Sequence, residues 1–470
     1  MKTPHKLLTL AANGTNPLVD QIVNGLQKQV DERQLRDGMK MPSIRAFAST
    51  HQVSRFTVVT AYDRLVAMGY LQSRQGSGFY VTSRTPVIAA KTAPIKLDAA
   101  TDALWLLHNA LSQPAKKLIP GAGWLPNDWM DHAGIQRSLR TLSKQSGSYL
   151  TSYGHPAGYA PLRHWLQHRL GEIGISTDSS QILLTRGATH AIDLISRYLV
   201  SPGDVVLVDD PGYFLLYGAL KSLGAQIIGV PWNKDGPDTA KMEALIKAHQ
   251  PRLFFTNTIL HNPTGATITQ ATAYRVLQLA ERYDLTIIED DIYGDFHPGQ
   301  ATRLASLDQL QRVIYLSSYS KTISASLRVG YIACSPDLAQ QLTDLKVLTG
   351  LTTSEIDERL IYQMLTDGHY RKYLNKTQRR LQQGREQAIT TFERLNLPLY
   401  VAPKGGMFIW VKMPDEINVV EMANQATTKG ITLAPGNLFR PHHEPSSWMR
   451  FNVTSCHEPE VIAFLAQYVG

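Results

Sequence analysis

Hydrophobic residues recur at helical spacing in the first part of the chain. The segment NPLVDQIVNGLQKQVDERQL places Leu18, Ile22 and Leu26 on one stripe, which predicts an amphipathic helix. A second, shorter helix is predicted for PSIRAFASTHQV, and a third for SRFTVVTAYDRLVAMG, where Ser54 is the expected cap and Gly69 the expected stop. Two short β-type runs in YLQSRQGSGFYVT then flank a Gly-Ser-Gly turn. The pattern therefore predicts three helices followed by a hairpin wing.

The pattern changes beyond about residue 98, where helix-length segments alternate with short apolar runs. Seven such runs are QILLT, DVVLVD, AQIIGV, RLFFTN, LTIIED, RVIYLSS and VGYIAC. This alternation predicts an α/β fold, with a mostly parallel seven-stranded sheet covered by helices on both faces. The segments from about 336 to 470, including GGMFIWVKM, predict a smaller α+β lobe.

The stretch between these two parts, SRTPVIAAKTAPIK, has two prolines and follows neither a helical nor a strand period. Such a composition is typical of a linker of moderate stiffness. The predicted organisation is a helical and winged domain at 1–83, a linker at 84–97 and a large domain at 98–470.

Composition narrows the class of protein. The chain has 470 residues, of which 43% are hydrophobic, so it can bury a large core and is too long for one ordinary domain. Its apolar runs fall well short of the ~20 residues that cross a bilayer, so we expect no membrane segment. The two cysteines, Cys334 and Cys456, lie far apart without metal-ligand spacing. A reducing cytoplasm is the expected location, and no metal site is predicted.

Positive charge is concentrated at the start of the chain. Residues 1–83 hold ten Lys and Arg against five Asp and Glu, and the whole chain carries a net charge of +8. A basic excess attracts polyanions, although a solvated charged face is the commoner explanation. Here the cation Arg55 and the hydroxyl of Thr57 lie in the first turn of the third helix. Recognition helices contact DNA with that turn.

Other cations and the glycines of the wing complete a candidate DNA surface. Taken singly, each arginine is more often a surface charge, but their order along these elements favours DNA. The wing glycines allow backbone N–H groups to approach phosphate closely. The predicted DNA contacts are Arg45, Ser54, Arg55, Thr57, Arg74, Gly76, Ser77 and Gly78.

The stretch MPSIRAFASTHQVSRFTVVTAYDRLVAMGYLQSRQGSGFYV resembles the GntR superfamily of winged helix-turn-helix regulators. Members of that superfamily have a Leu-Pro-Ser-x-Arg element, a Ser-Arg-x-Thr helix start and a Gly-Ser-Gly wing. Met41 replaces the usual leucine, a change that alters packing only. The resemblance covers about the first eighty residues and implies a module that binds double-stranded DNA.

Polar residues that suit cofactor chemistry follow the predicted strands of the large domain. Lys321 comes three residues after RVIYLSS, where Ser318 and Arg328 offer a hydroxyl and a cation for a phosphate. Asp290 ends the run LTIIED. A lysine in such a loop is usually just solvated. Because ligands gather at the carboxyl ends of parallel strands, these neighbours favour a binding site.

Further groups at other strand ends fit one cofactor, pyridoxal 5'-phosphate. It needs a lysine for a covalent bond, a carboxylate for the pyridine nitrogen, hydrogen-bond donors for the ring oxygen and a cradle for phosphate. The segment LLTRGATHAID predicts a strand, a glycine turn and a helix start, an arrangement that binds phosphate. The remaining candidate cofactor residues are Asn262, Tyr293, Tyr213 and the helix start at Gly187, Ala188 and Thr189. Tyr213 is either a ring that stacks on the cofactor or an ordinary core residue.

Roughly residues 100–470 resemble the fold-type I aminotransferases. The matching motifs are YGHPAGYAPLRHWL, TRGATHAI, PGYF, HNPTG, EDDIYGDF, SSYSKTISASLRVGY and MRFNVTS. The resemblance implies that Lys321 is the catalytic lysine and that Asp290, rather than Asp291, pairs with the pyridine nitrogen. The family places that aspartate three residues before its tyrosine.

The same resemblance assigns two residues far from this lysine loop. Tyr153 matches a tyrosine that reaches the cofactor phosphate of the other subunit in a homodimer. Arg450 matches the arginine that binds a substrate carboxylate, a task suited to a bidentate guanidinium. An ordinary edge cation is the alternative interpretation of Arg450.

The order of winged helix, linker and aminotransferase-like domain resembles the MocR subfamily of GntR regulators. That resemblance implies a cytoplasmic, homodimeric, DNA-binding regulator that holds pyridoxal 5'-phosphate and senses an amine, an amino acid or the cofactor itself. Two alternatives stay open at this point. The chain could be a working aminotransferase with an accessory DNA module, or a scaffold that only dimerises.

Overall fold

The computed structural model describes residues 7–11, 16–32, 34–82 and 118–469. It divides the chain into two compact units, Met1–Ile95 and Lys96–Gly470. The predicted linker at 84–97 lies outside the described residues, and the exact domain bounds stay predictions.

The first unit has the predicted three helices and hairpin. The helices are α1 (Leu18–Asp31), α2 (Ile44–His51) and α3 (Arg55–Ala67), and the strands are β1 (Leu71–Arg74) and β2 (Gly78–Val81). The strands pair antiparallel with Leu71 opposite Val81. This confirms the winged helix-turn-helix prediction.

Local sequence explains where these helices begin and end. The Ser43 side chain accepts a hydrogen bond from the Ala46 N–H at 3.2 Å and so caps α2, while Ser54 accepts from the Thr57 N–H at 3.0 Å and caps α3. Gly69 follows α3 with a φ of +75°, which a residue with a side chain rarely adopts. The helices enclose a small core that includes the buried side chains of Ile22, Leu26, Phe47, Tyr62 and Leu65.

The second unit is built on one large sheet. All seven predicted runs are strands, namely β3 (Ile182–Thr185), β4 (Val205–Asp210), β5 (Gln226–Asn233), β7 (Leu253–Thr256), β8 (Thr286–Asp290), β9 (Val313–Ser318) and β10 (Gly330–Ala333). An eighth strand, β6 (Gly236–Pro237), adds two residues at the edge beside β5. The order is β3-β10-β9-β8-β7-β4-β5-β6, and only β10 and β6 run antiparallel to their neighbours.

Helices cover both faces of this sheet and bury two apolar cores. They are α4 (His132–Leu142), α5 (Ala160–Glu172), α6 (Gly187–Leu199), α7 (Phe214–Ser222), α8 (Thr239–His249), α9 (Gln270–Arg282), α10 (Leu304–Asp308), α11 (Pro336–Gly350) and α12 (Glu355–Thr366). One core includes Leu162, Phe254 and Ile287, and the other includes Leu183, Val206 and Ile314. In the described ranges no helix is long and apolar enough to cross a bilayer.

A second, three-stranded sheet forms the smaller lobe. Its elements are α13 (His369–Arg394), β11 (Phe408–Lys412), α14 (Val419–Thr428), β12 (Ala434–Pro435), β13 (Trp448–Asn452) and α15 (Pro459–Val469). The strand order is β11-β13-β12. Its core also takes Leu125 from before the main sheet, whereas Leu342 and Ile361, which sequence placed in this lobe, pack into the main cores. Apolar burial therefore attaches α11 and α12 to the large sheet.

Candidate active site and nucleic-acid interface

The lysine and the carboxylate selected from sequence meet at the carboxyl edge of the large sheet. Asp290 is the last residue of β8 and lies opposite Leu316 of the adjacent strand β9, and Lys321 follows the end of β9 by three residues. The Lys321 amine donates a hydrogen bond to the Gly123 carbonyl at 2.6 Å. An Asp290 carboxylate oxygen accepts one from the Ile292 N–H at 3.1 Å.

Burial favours the uncharged form of both groups. It lowers the pKa of Lys321 to about 8, with further lowering by the cations Arg450 and Arg328 and an opposing effect of Asp290. Burial likewise raises the pKa of Asp290 to about 7, since the charged form loses its hydration. Lys321 therefore has a larger neutral, nucleophilic fraction near pH 7 than an exposed lysine.

Three consecutive carboxylates in this region have three different environments. Glu289 accepts hydrogen bonds from the N–H groups of Leu304 and Ala305, at 2.9 and 2.8 Å, and so caps α10. Asp291 accepts from the Arg303 Nε at 2.7 Å in a buried ion pair. The Lys321 charge is among the influences on the pKa of Asp290. Asp291 is thus already paired with Arg303, and Asp290 stays the predicted partner of the pyridine nitrogen.

The start of α6 and the loop after Lys321 lie against each other and form the candidate phosphate cradle. Gly187 begins α6 with a φ of +77°, and a Cβ built there would lie 2.8 Å from the Arg328 Nη2. Arg328 itself has a φ of +50°. Thr189 is exposed in the first turn of α6, after the buried Ala188. Backbone N–H groups and a guanidinium thus meet where the helix dipole favours an anion.

The Ser318 hydroxyl has partners inside the loop, and its contact with a phosphate stays a prediction. The Ser318 Oγ lies 2.9 Å from the Ser320 Oγ and 3.0 Å from the Val329 carbonyl oxygen. The Arg328 Nη1 donates to the Ser320 Oγ at 3.1 Å. Ser320 was missed from sequence, although its place beside Lys321 in the serine-rich loop was a usable signal.

The predicted ring contacts lie around the same edge. Burial raises the pKa of the Tyr213 phenol to about 12, with Asp290 adding to the rise and a hydrogen bond to Thr189 opposing it. Tyr293 is buried with its ring edge-on to Phe408, at a centroid distance of 5.2 Å. Burial also raises the pKa of Tyr293, so its hydroxyl keeps its proton and can donate it in a hydrogen bond.

Arg450 is a buried cation without an acidic partner in the described part of the chain. Its guanidinium donates to the Asn262 side-chain oxygen and to the Gly121 carbonyl, both at 2.6 Å. It also lies 4.5 and 4.8 Å from the ring centroids of Phe408 and Phe439. Burial lowers its pKa to about 10, so it stays charged at neutral pH. Such a group favours an incoming carboxylate, because neutral acceptors leave its charge uncompensated.

Asn257 connects several of these groups and was not predicted. Its Nδ2 donates to the backbone carbonyl of Asp290 at 2.7 Å, and its Oδ1 accepts from the Asn262 N–H at 2.7 Å. Its own N–H donates to the buried carboxylate of Asp209 at 2.8 Å. The signal available in sequence was its position directly after the apolar run RLFFT.

Tyr153 is not brought to Lys321 within one chain, and it is 80% exposed. The segment that follows it is firmly held: the Lys346 amine donates to the Pro156 carbonyl at 2.7 Å, and the Tyr159 N–H donates to Glu358 at 2.8 Å. The exposure of Tyr153 is therefore a feature of an anchored loop rather than of a loose one.

The predicted DNA residues of the first unit divide into exposed cations and hydroxyls with internal partners. Arg45 on α2 and Arg55 on α3 are exposed. The Ser54 and Thr57 hydroxyl oxygens lie 2.8 Å apart and hydrogen-bond each other at the start of α3. These two hydroxyls serve the helix cap.

The wing carries the other predicted contacts. Gly76 and Gly78 are exposed with φ values of +73° and +103°, so the turn depends on glycine. The Ser77 hydroxyl lies 2.6 Å from the Tyr80 hydroxyl. The guanidinium of Arg74 lies 4.5 Å from the centre of the Tyr80 ring, so the ring orients this exposed cation.

Two family models match the chain, each over one of its units. Residues 125–469 match the model for aminotransferase class I and II, and residues 18–81 match the model for bacterial regulatory proteins of the gntR family. Among similar curated proteins, YdfD of Bacillus subtilis, an uncharacterized HTH-type transcriptional regulator, is 28% identical over 90% of both chains. The HTH-type transcriptional regulator NorG of Staphylococcus aureus is 25% identical over 85% of this chain and 92% of its own.

Solved structures resemble the second unit. The kynurenine aminotransferase of Pyrococcus horikoshii, solved with PMP, is 26% identical with a TM-score of 0.72 and covers 78% of this chain and 93% of its own. An archaeal alanine:glyoxylate aminotransferase is 25% identical with a TM-score of 0.73 and covers 79% and 95%. Both matches leave about a fifth of this chain without a counterpart.

Proposed function

The chain belongs to the aminotransferase class I and II family, and because a gntR-type domain precedes that region, we propose that it is a DNA-binding transcriptional regulator dependent on pyridoxal 5'-phosphate. The domain order is that of the MocR subfamily, and its relatives are named as HTH-type transcriptional regulators. One observation carries the proposal. A single chain combines an exposed, cationic recognition helix with a half-buried lysine and a half-buried carboxylate at adjacent strand ends.

The residues present fit the cofactor. Lys321 supplies an amine of lowered pKa for the covalent bond. The Asp290 carboxylate accepts one backbone hydrogen bond, from the Ile292 N–H, and has further acceptor capacity for a pyridine nitrogen. Arg328 supplies positive charge directly beside Gly187 at the start of α6, where a phosphate would be held. When bound, the cofactor supplies an electron sink for chemistry at an attached amine. Tyr213 and Tyr293 lie at the same edge of the large sheet and limit the access of water to it.

The effector that fits best is an amino acid. Arg450 is buried beside Asn262 without an acidic partner in the described residues, and a carboxylate satisfies such a guanidinium with two parallel hydrogen bonds. An amine without a carboxylate, or the cofactor alone, leaves this cation uncompensated. We therefore place an amino acid ahead of those two candidates.

Regulation requires the effector to bind two arrangements of the protein with different affinity. We place the site in a homodimer in the cytoplasm, where Tyr153 of one subunit completes the phosphate site of the other. The support is its 80% exposure on an anchored loop, together with exposed apolar side chains at Leu150, Leu348 and Leu351. A dimer presents two recognition helices, with half-sites about one helical turn, roughly 34 to 36 Å, or a multiple of it apart.

The DNA-binding part is tested by gel shift and footprinting on DNA that flanks the chain's own gene. We expect site-selective binding that weakens steeply with salt, since phosphate contacts release counterions. The variant Arg55→Ala should weaken it, while Arg140→Ala, an exposed arginine of α4, is the matched control. Binding that is equally tight on unrelated DNA would contradict the proposal.

A second function, aminotransferase catalysis, is favoured by the retention of Lys321, Asp290 and Arg450 around one edge of the sheet. Steady-state assays with amino donors and 2-oxo acids separate the two functions. Many turnovers per chain would make this an enzyme with an accessory DNA module. Conversion of at most one equivalent per chain is the result expected of a regulator.

A further inference from the structure

The start of the recognition helix carries an exposed aromatic side chain, Phe56, whose role the proposed function leaves open. Phe56 occupies the variable position of the Ser-Arg-x-Thr helix start and is 79% exposed. We propose that Phe56 reads the 5-methyl group of a thymine in the major groove. The inference rests on the proposed DNA-binding function and adds a base preference to it.

The position of Phe56 on α3 directs it away from the core. The buried residues of this helix are Val58, Ala61, Tyr62 and Leu65. At 100° per residue, these four lie on one side and Phe56 lies almost opposite their centre. It is also in the first turn, which enters the groove in helix-turn-helix proteins. The ring therefore faces the bases when α3 docks.

The neighbouring hydroxyls are already engaged within the helix. Ser54 and Thr57 hydrogen-bond each other, and the Thr60 hydroxyl donates to the Phe56 carbonyl at 3.0 Å. The side chains left to meet base edges at this end of α3 are the Arg55 guanidinium and the Phe56 ring. At this end of α3 we therefore expect an apolar contact with a base through Phe56 rather than a hydrogen bond through a threonine.

Charge identifies the occupant of this surface as DNA rather than as another apolar protein surface. The first turn of α3 contains no acidic residue, and Arg45 and Arg55 are both exposed. Asp63 is on the same side of the helix but two turns further on, about 10 Å along the axis. An exposed ring among cations matches a groove lined by phosphates, where the methyl group of thymine is the apolar feature.

The contact has an expected size. Burying one methyl-sized group contributes enough to change affinity about fourfold, by the usual conversion of transfer energy into a binding ratio. Removal of the methyl group alone should therefore weaken binding about fourfold at the contacted thymine. Removal of the whole ring should weaken it about tenfold, since more apolar surface is then left without a partner.

The experiment uses the full chain and a duplex selected from a random library by repeated binding. Each thymine of the selected site is replaced in turn by deoxyuridine, which lacks only the methyl group. We expect one position per half-site to lose about fourfold in affinity with the wild type and to lose nothing with Phe56→Ala. Phe56→Leu should keep most of the discrimination because it keeps an apolar side chain. Met68→Ala, at the far end of α3 and 46% exposed, is the matched control.

Two further readouts keep the outcomes distinct. The slope of affinity against salt should be the same for Phe56→Ala and wild type, because no phosphate contact is lost. Phe56→Leu, compared with wild type by thermal melting, separates a contact effect from a folding defect. Site-selective binding that tolerates deoxyuridine everywhere would overturn the inference and leave the proposed function standing. A change of oligomeric state in Phe56→Ala would overturn it too, and an absence of any selected site would overturn both.

Discussion

The two units of this chain use charged side chains in opposite ways. In the first unit the cations Arg45, Arg55 and Arg74 are exposed. In the second unit the charges that matter are withdrawn from water, so that Lys321 has a pKa of about 8 and Asp290 one of about 7. The first arrangement suits a long polyanion recognised through many exposed contacts, and the second suits one small ligand recognised through a few desolvated groups.

This difference shows why salt and pH should act on different units. Exposed cations interact with phosphates through screened fields, so their contribution falls with ionic strength. Desolvated groups are screened little but respond to pH, because burial has moved their titration towards neutrality. This difference between the two units would be contradicted if the affinity for the cofactor fell with salt concentration as steeply as the affinity for DNA does.

The largest effect expected comes from the carboxylate next to the site. Asp291→Asn should reduce the free energy of unfolding by about 3–5 kcal/mol, because it leaves the buried guanidinium of Arg303 without its charge partner. Asp290→Asn should not reduce the stability of the cofactor-free protein, since burial disfavours that charge, but should weaken cofactor binding. Denaturant unfolding and absorbance titration measure the two properties. Equal loss of stability in both variants would remove the distinction between these neighbours.

The pH dependence of cofactor uptake should follow the Lys321 amine. Its pKa is lowered, so the neutral form is scarce at pH 6 and predominates above about pH 8. Uptake should accelerate about tenfold per pH unit below that value and then level off, as a group titrating near 8 requires. Stopped-flow absorbance gives the pH profile of uptake. The control is the variant Lys321→Ala, in which the cofactor can label only exposed lysines, and the rate of that labelling should keep rising to about pH 10. A wild-type profile that also rises to pH 10 would contradict the burial of Lys321.

A smaller effect is expected in the phosphate cradle. Gly187→Ala places a Cβ 2.8 Å from the Arg328 guanidinium at a φ of +77°, and should weaken cofactor binding about tenfold, in line with the strain of a left-handed residue. Gly203→Ala has a φ of +93° but open space around it, so it bears similar strain far from the cradle. Binding that drops equally in both variants would point to general strain.

The smallest effect is expected on the wing. Arg74→Ala should weaken DNA binding several-fold and reduce the salt slope by about one, as expected for the loss of one phosphate contact. Cofactor absorbance should be unchanged. Lys144→Ala, an exposed cation of the second unit, is the control. A variant with an unaltered salt slope would show that Arg74 does not contact phosphate.

Sequence predicted the framework of the fold well because the patterns there are local. Every apolar run named in the large domain is a strand, and Ser54 caps the helix it was expected to cap. The eighth strand escaped prediction because two residues carry no periodicity. The assignment of α11 to the small lobe differed for another reason: which core a helix joins depends on packing between distant segments.

The site residues at strand ends could be predicted from sequence, whereas the hydrogen bonds between them could not. The motif spacing led to Lys321 and Asp290. Asn257 was missed because its role depends on hydrogen bonds to Asp209 and Asp290 on other strands and to Asn262 further along its own loop. Ser318 and Thr57 were chosen as ligand contacts, whereas their hydroxyls have partners within the fold. Sequence alone does not show whether a hydroxyl in a motif will bind a ligand or will hydrogen-bond to nearby groups of the fold.

The central claim is that Lys321 holds pyridoxal 5'-phosphate covalently in a chain that also binds DNA. Treatment of the cofactor-loaded protein with borohydride, followed by peptide mass mapping, tests it directly. We predict one phosphopyridoxyl group per chain, located on Lys321, with site-selective DNA binding in the same preparation. An unmodified Lys321 peptide after treatment with excess cofactor would contradict the account.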